Sequence, residues 1–367
     1  MNENDKDDRA AVVVTGISGD LGLRLLPLLS NYHVIGVDLH QPNTQLPLEF
    51  VQMDLGREES CRELYLLLRE ARAVAVIHLA FVVDPVRAAI LDLDRMWQIN
   101  VAGTARVMEA ITEANRNETI VEKFIFLSSA SAYGSDLAEP VSEDFPLGGH
   151  SLPYALQKIE ADKVVQLRAP SLRGCSAYML RPHIFAGASM KNYFIGVFRG
   201  TPNGNGQWAH KLEQQGKRLP CVLPYGQKYL EHRLQFVHVD DVARLIVHII
   251  LRTDPESQRL TLLNVAGRGD ALTVARCVEV ANAKLHRVPG KWALRLILMF
   301  MRKSGISAIP PEALPYMTGQ FLVNTARLQT FLGAAYEDVI RFTVADAFAD
   351  CFQPSPTSTP RTETDQQ

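Results

Sequence analysis

The sequence has few cysteines, no excess of charge of either sign and no long apolar run. Its five cysteines are scattered among 367 residues, odd in number and without a Cys-x-x-Cys pair. This usage argues against a disulfide framework and a metal site, so we expect reduced thiols and a cytoplasmic location. The formal net charge of −2 gives no electrostatic basis for binding nucleic acid.

No apolar run in the sequence is long enough to cross a bilayer. The longest apolar run, from Trp292 to Met301, is interrupted by Arg295 and is far shorter than the roughly 20 residues that a span requires. We therefore expect no membrane span; the run is interpreted as a buried or partner-facing helix, with a peripheral membrane contact as the alternative. Residues 353–367 are rich in Pro, Ser and Thr, and we expect them to be disordered.

A strand, a glycine-rich turn and a helix follow one another near the start of the chain. An apolar β-branched run at 11–14 leads into Thr-Gly-Ile-Ser-Gly-Asp-Leu-Gly at 15–22, and a leucine-rich helix is predicted over 21–29. Gly16 allows the tight turn, Gly19 lets the backbone approach a pyrophosphate, and Gly22 permits close packing of helix on strand. The pattern predicts a dinucleotide-binding turn, with a tight turn that binds nothing as the alternative.

Strands and helices alternate over the next 80 residues, which predicts a doubly wound parallel α/β sheet. Asp38 ends the second strand about 20 residues after the turn, where a carboxylate accepts hydrogen bonds from a ribose and repels a 2′-phosphate. This position favours NAD over NADP. Asp54-Leu55 ends the third strand and is predicted to lie beside the adenine. His78 is interpreted either as a core histidine or as a contact at the edge of the cofactor.

Hydroxyl groups and a Tyr-x-x-x-Lys pair follow the fifth strand. Residues 128–134 read Ser-Ser-Ala-Ser-Ala-Tyr-Gly at the strand end, where an open α/β sheet holds its ligand. Tyr154 and Lys158 are four residues apart and share one face of a predicted helix. A free phenol titrates near ~10, but a fixed positive charge beside it stabilises the phenolate and brings the tyrosine toward useful acid–base chemistry. Further along, Asp240-Asp241 is predicted to cap a helix over 242–251.

In this order, the segments resemble the extended short-chain dehydrogenases/reductases, the NAD-dependent epimerase/dehydratase family. The resemblance covers Val12 to about Gly267, roughly two thirds of the chain. Besides the turn, the two acids, the serine cluster and the Tyr/Lys pair, it rests on His78-Leu79-Ala80, Asn100 with Gly103-Thr104, Leu180-Arg181-Pro182 and residues 236–243.

The resemblance implies an NAD-dependent enzyme with assigned residue roles. Ser129 would hydrogen-bond the substrate, Tyr154 would move the proton, and Lys158 would hold the nicotinamide ribose and lower the pKa of the tyrosine. The implied cofactor contacts are Gly16, Ser18, Gly19, Asp20, Leu21, Asp38, Asp54, Leu55, Leu79, Ala80, Asn100, Tyr154, Lys158 and His183.

The resemblance also implies the domain organisation. A Rossmann domain would span 10–180, with 234–267 returning to it. A smaller, mostly helical C-terminal substrate domain would comprise 181–233 and 268–352. By analogy, a homodimer would form through helices at Met96–Ala114 and Tyr154–Leu167.

Two positions depart from the pattern of sugar-nucleotide epimerases in this family. Ile184 stands where these enzymes carry an Asn, and Leu234 stands where they tend to carry an Arg that grips a diphosphate. Our first hypothesis remains an epimerase or dehydratase of a sugar or sugar nucleotide. The alternatives are a dehydrogenase/reductase of a small hydroxysteroid-like or flavonoid-like alcohol or hydroxyketone, and an NAD-binding protein without catalytic activity.

Overall fold

A computed structural model describes residues 9–83, 92–118, 120–149, 151–254 and 260–353. Apart from Gln353, the tail that we predict to be disordered lies outside the described residues. The strands in these ranges are β1 (Ala11–Thr15), β2 (His33–Asp38), β3 (Glu49–Gln52), β4 (Ala75–His78), β5 (Lys123–Leu127), β6 (Ser176–Pro182), β7 (Ile184–Ala186), β8 (Cys221–Pro224), β9 (Arg233–Leu234), β10 (Phe236–His238), β11 (Leu260–Val265), β12 (Leu272–Thr273) and β13 (Leu285–Val288).

Helices connect most of these strands. Those in the described ranges are α1 (Asp20–Leu28), α2 (Ser60–Glu70), α3 (Leu93–Trp97), α4 (Gly103–Ala114), α5 (Pro153–Arg168), α6 (Tyr193–Arg199), α7 (Gln207–Gln214), α8 (Lys228–Glu231), α9 (Val239–Leu251), α10 (Val274–Val280), α11 (Gly290–Lys303), α12 (Leu314–Thr318), α13 (Ala326–Leu332), α14 (Tyr336–Val339) and α15 (Val344–Asp350). None of them has both the length and the hydropathy that crossing a bilayer requires.

Seven strands form one parallel sheet in the order β11-β6-β5-β4-β1-β2-β3. The order reverses at β1, which pairs with β2 on one side and with β4 on the other. Open α/β sheets bind their ligands at the carboxyl ends of the strands beside such a reversal. The predicted doubly wound fold is therefore confirmed, and it places the glycine turn after β1 at this point.

Apolar side chains cover both faces of the sheet around its central strands, which explains why β1 and β4 are mainly apolar and fully buried. Val12 and Val14 belong to the core cluster formed with α1 and α9. Val13, which points to the opposite face, belongs to the cluster formed with α2, α4 and α5. A third cluster, which includes Phe198 and Phe236, joins the elements of the smaller, mostly helical C-terminal part.

Two predicted local details differ from the structure. The helix predicted over 96–114 is divided into α3, a π-helical turn at Gln98–Ala102, and α4. Asp240 and Asp241 do not cap α9, because His238 is its N-cap and accepts the backbone N–H of Asp240 at 3.2 Å. The Asp241 carboxylate instead accepts the backbone N–H groups of Arg341 and Phe342, each at 3.1 Å. It therefore ties α9 to the C-terminal segment.

Candidate active site

A cleft of about 1190 Å³ lies at the carboxyl ends of the sheet strands and continues between the sheet and the C-terminal part. The volume exceeds the usual range for one small ligand, as a site for a dinucleotide and a substrate requires. All predicted site residues except Asn100 line it: Gly16, Ser18, Gly19, Asp20, Leu21, Asp38, Asp54, Leu55, Leu79, Ala80, Ser129, Tyr154, Lys158 and His183.

The three glycines of the turn differ in what their missing side chains allow. Gly16 has a φ of +76°, and a Cβ there would lie 2.5 Å from the backbone nitrogen of Ala80. A Cβ on Gly22 would lie 2.5 Å from the carbonyl oxygen of Ile17, so this glycine permits the close packing of α1. Gly19, by contrast, would meet only the carbonyl oxygen of Gly16, at 3.3 Å, and its other side faces the cleft.

The amino end of α1 fits the pyrophosphate of a dinucleotide. Gly19 is the N-cap, no side chain caps the helix, and Gly19, Leu21 and Gly22 line the cleft, so an anion bound there would lie at the positive end of the helix dipole. The Asp38 carboxylate, at the end of β2, accepts the N–H groups of Ser18 at 3.0 Å and Leu39 at 2.7 Å. These bonds hold the carboxylate at the cleft wall. Asp38 follows the glycine turn by about 20 residues, the sequence separation at which a carboxylate contacts the ribose in dinucleotide-binding folds.

Asp54 has a partner that the sequence did not reveal. Its carboxylate forms an ion pair with Arg95 of α3 and also accepts the N–H of Gly56 at 2.9 Å. The predicted acceptor for the adenine amino group is therefore already neutralised by a guanidinium. No local pattern marks Arg95, because it is 41 residues away from Asp54 in the chain.

We expect the variant Asp38→Asn to lose selectivity for NAD over NADP by about tenfold or more, because removing a carboxylate removes repulsion of a 2′-phosphate and a charged ribose contact. The measurement is the dissociation constant of each cofactor for the wild type and the variant. Glu63→Gln, an exposed carboxylate on α2, is the matched control. Equal affinity of the wild type for both cofactors would contradict the role of Asp38.

Ser129, Tyr154 and Lys158 come together on the cleft wall. Ser129 follows β5, and its hydroxyl accepts the Ser131 hydroxyl at 2.9 Å. Tyr154 lies in the first turn of α5, and Lys158 lies one turn further along it. The Lys158 ammonium donates to the carbonyl oxygen of Leu127 at 2.6 Å and lies 3.4 Å from the ring centroid of Phe81. A cation over an aromatic face is held electrostatically.

Burial sets the protonation of this pair. It raises the pKa of Tyr154 to about 12, although the hydrogen bond from Ser129 acts in the opposite direction. It lowers the pKa of Lys158 to about 7, although the negative charge of Asp162 favours the ammonium. Without further positive charge, the phenol is protonated at neutral pH, and the lysine loses its proton far more readily than in water.

A buried ion pair between Asp162 and Arg181 lies one helical turn beyond Lys158. Asp162, one turn after Lys158 on α5, accepts the Arg181 Nε–H at 2.9 Å and the Ser128 hydroxyl. Arg181 also donates to the Tyr133 hydroxyl at 2.8 Å. Burial raises the pKa of Asp162, while Arg181 opposes the shift. The i, i+4 spacing of Lys158 and Asp162 is the sequence signal by which this carboxylate could have been found.

Asn100 and the two histidines singled out from the sequence are buried, and protein groups occupy their polar atoms. Asn100 accepts the N–H of Val82 at 2.6 Å and donates to the Gln157 side chain at 2.6 Å. It therefore links the backbone at Val82 to α5. His78 is a core histidine: its ring nitrogens contact two threonine hydroxyls, and burial lowers its pKa to about 3. His183 lines the cleft, but the Ile184 N–H and the Phe321 carbonyl occupy its two nitrogens.

The substrate end of the cleft is mainly apolar. Ile184 and Leu234, the two departures from the epimerase pattern, both line it. Among the described residues of the lining, Lys191 and Arg302 are the cations at this end, and Glu312 is the carboxylate.

The comparisons with known proteins agree with this geometry. Residues 12–266 match the NAD dependent epimerase/dehydratase family. The chain is 26% identical over 291 residues to UDP-glucose 4-epimerase of Haemophilus influenzae, a match that covers 74% of this chain and 82% of that one. Its identity to UDP-glucose 4-epimerase of Drosophila melanogaster is 25% over 257 residues, covering 63% and 70%. The solved structure of MoeE5 in complex with UDP-glucuronic acid and NAD has the same fold, with a TM-score of 0.63 at 21% identity over 93% of this chain and 97% of that one.

The parallel sheet, the glycine turn and the cleft at the strand reversal define a dinucleotide-binding α/β protein. The match over 12–266 is more specific, and the chain belongs to the NAD-dependent epimerase/dehydratase family. The predictions of the family, of an enzyme and of NAD as its cofactor are confirmed. The roles assigned to individual residues stay predictions.

Proposed function

We propose that this protein is an NAD-dependent sugar-nucleotide epimerase that acts at one hydroxyl-bearing carbon through Tyr154, Lys158 and Ser129. One observation carries the proposal: these three side chains line the same cleft as the glycine turn and Asp38. The names of the curated relatives, which are UDP-glucose 4-epimerases, support this substrate class, as does the UDP-glucuronic acid held by MoeE5.

The residues divide the chemistry among them. The turn at Gly16–Gly22 and Asp38 would hold NAD, which would supply reversible hydride transfer at the substrate carbon. Ser129 hydrogen-bonds the reacting oxygen, and Tyr154 accepts its proton. Lys158 brings a positive charge to the tyrosine's side of α5 and stabilises the phenolate by electrostatic attraction. Phe81 and the Leu127 carbonyl oxygen fix the position of that charge.

A sugar nucleotide needs cations for its diphosphate. In this proposal Lys191 and Arg302 supply them in place of the arginine that Leu234 replaces, because both line the substrate end of the cleft. The aromatic rings of Tyr193 and Phe194 lie in the same part of the lining and offer surfaces for a base.

A second candidate is a dehydrogenase of an apolar alcohol or hydroxyketone. The apolar lining favours it, since Phe81, Ile184, Phe185 and Leu234 present hydrocarbon where a sugar nucleotide offers hydroxyls and phosphates. The same acid–base residues would serve, but NAD would then be exchanged at every turnover.

We expect the purified protein to carry bound NAD and to interconvert UDP-glucose and UDP-galactose without net formation of NADH, because an epimerase reduces its own intermediate. The measurement combines product analysis with NADH absorbance, and a hydroxysteroid serves as the competing substrate. Steady accumulation of NADH with the steroid, and no change in the UDP-sugar, would favour the dehydrogenase. Absence of turnover with both classes of substrate would contradict both candidates.

The proposal also covers the oligomeric state and the cellular location. We propose a homodimer through α4 and α5, and the exposure of Leu167 on α5, 81% of its surface, supports an apolar contact there. We also propose a cytoplasmic location, which the five free cysteines support.

A further inference from the structure

The outer face of α11 exposes large apolar side chains to solvent. Trp292 and Phe300 are exposed over 65% and 68% of their surfaces, and Leu296 and Met299 lie between them. The spacing i, i+4, i+7, i+8 aligns these four residues in one stripe along the 14-residue helix. The opposite face is used for packing, as Leu294 and Leu298 are buried. The outer stripe therefore has no role in the core.

Positive charge borders this stripe. Lys291, Arg295, Arg302 and Lys303 are all exposed on α11. The sequence between Glu279 and Glu312 contains six lysines and arginines and no aspartate or glutamate, although the whole chain has a net charge of −2. This is the charge pattern of a helix that lies in the plane of an anionic lipid surface.

Exposed aromatic residues also stand at the two ends of α11. Tyr225, 64% exposed, follows β8, and its N–H donates to the Val288 carbonyl oxygen at 2.8 Å just before the helix. Trp208, 60% exposed, lies on α7, whose preceding Gly206 donates to Gly305 at 3.0 Å just after the helix. Tyrosine and tryptophan, with a polar tip on an apolar ring, are the residues favoured at a membrane–water interface.

We propose that the outer face of α11, together with Tyr225 and Trp208, docks this protein on an anionic lipid bilayer. The apolar stripe would enter the interface, and the lysines and arginines would meet the lipid headgroups. A second copy of the chain fits this surface less well, since pairing two such faces would bring like charges together. Because Arg302 also lines the cleft, docking would place the substrate end of the cleft near the lipid surface.

The test uses the full-length protein with two kinds of vesicle, phosphatidylcholine alone and phosphatidylcholine mixed with phosphatidylglycerol. We expect cosedimentation with the mixed vesicles, weaker binding at high salt, and little binding to phosphatidylcholine alone. The double variant Trp292→Ser/Phe300→Ser should lower the partition coefficient about tenfold or more, because two large side chains leave the interface. Lys291→Glu/Arg295→Glu should remove the preference for the anionic lipid.

The matched control is Leu251→Ser, an equally exposed apolar residue at the end of α9, which should bind as the wild type does. The substituted side chains are exposed, so thermal unfolding of each variant should match the wild type and show that it is folded. Failure of the wild type to bind the mixed vesicles would overturn the proposal, as would equal binding of all variants. A dimer that Trp292→Ser/Phe300→Ser dissociates in the absence of vesicles would assign the face to a second copy instead.

Discussion

Tyr154→Phe is expected to lower turnover by about 10²–10⁴-fold while leaving the affinity for NAD close to that of the wild type. The substitution removes the one hydroxyl proposed to exchange a proton with the substrate, and that is the usual contribution of a positioned acid–base group. The ring, which packs edge-on against Phe81, stays in place. The measurement is kcat with the substrate found for the wild type, beside the dissociation constant for NAD.

The pH profile separates this role from a structural one. Burial raises the pKa of Tyr154 to about 12, so the proton-accepting phenolate is the minor form at neutral pH and its fraction grows as the pH rises. Oxidation by the wild type should therefore accelerate as the pH rises, and the rise should be smaller where Lys158, whose pKa burial lowers to about 7, loses the positive charge that stabilises the phenolate. The residual activity of Tyr154→Phe should lack that rise, because the phenol at position 154 is absent from it.

Tyr316→Phe provides a matched control in the same cleft. The Tyr316 hydroxyl donates to the Ser131 carbonyl oxygen at 2.7 Å, so it has a backbone partner and no proton to exchange with a substrate. We expect it to change turnover less than about tenfold, the scale of one hydrogen bond. Similar losses in both variants would show that the assignment of Tyr154 is wrong.

The elements around the cofactor could be predicted from the sequence because their signals are local. A β-branched run, a glycine that needs positive φ and an acid at a strand end each lie within a few residues of the structure they specify. Gly16 shows this directly, since its φ of +76° and the 2.5 Å approach to Ala80 exclude any other residue.

Partners that are distant in the chain could not be predicted in this way. Asp241 resembled a helix cap, but its carboxylate binds the backbone of residues a hundred positions later. The pairing of Asp54 with Arg95 likewise joins residues 41 positions apart. The apolar run at Trp292 was expected to be buried or to face a partner, with a peripheral membrane contact as the alternative. Only the packed helix shows that Leu294 is inside and Trp292 outside.

The spacing of Lys158 and Asp162 could have indicated the carboxylate, but its pairing with Arg181, 19 residues further along the chain, could not be predicted from the sequence. The arginine and aspartate side chains are 2% and 0% exposed. Removing one member of such a pair leaves the other charge buried without compensation. Because Asp162 is the acid whose charge favours the ammonium of Lys158, the pair couples the stability of α5 to the proposed chemistry.

Arg181→Met is therefore expected to lower the free energy of unfolding by about 3–5 kcal/mol, the usual loss when one partner of a buried pair is removed. The measurement is urea-induced unfolding at neutral pH. The loss should shrink as the pH falls, since burial raises the pKa of Asp162 and a protonated carboxyl needs no cation. Arg181→Met/Asp162→Leu should recover part of the stability.

The control for this prediction is Arg276→Met. Arg276 also pairs with a carboxylate, that of Glu279 at 2.6 Å, but the two side chains are 54% and 70% exposed. We expect it to change the free energy of unfolding by less than about 1 kcal/mol, because solvent screens such pairs. Equal losses in Arg181→Met and Arg276→Met would contradict the distinction. So would an Arg181→Met variant as stable as the wild type, which would mean that Asp162 is already protonated and uncharged in the native protein.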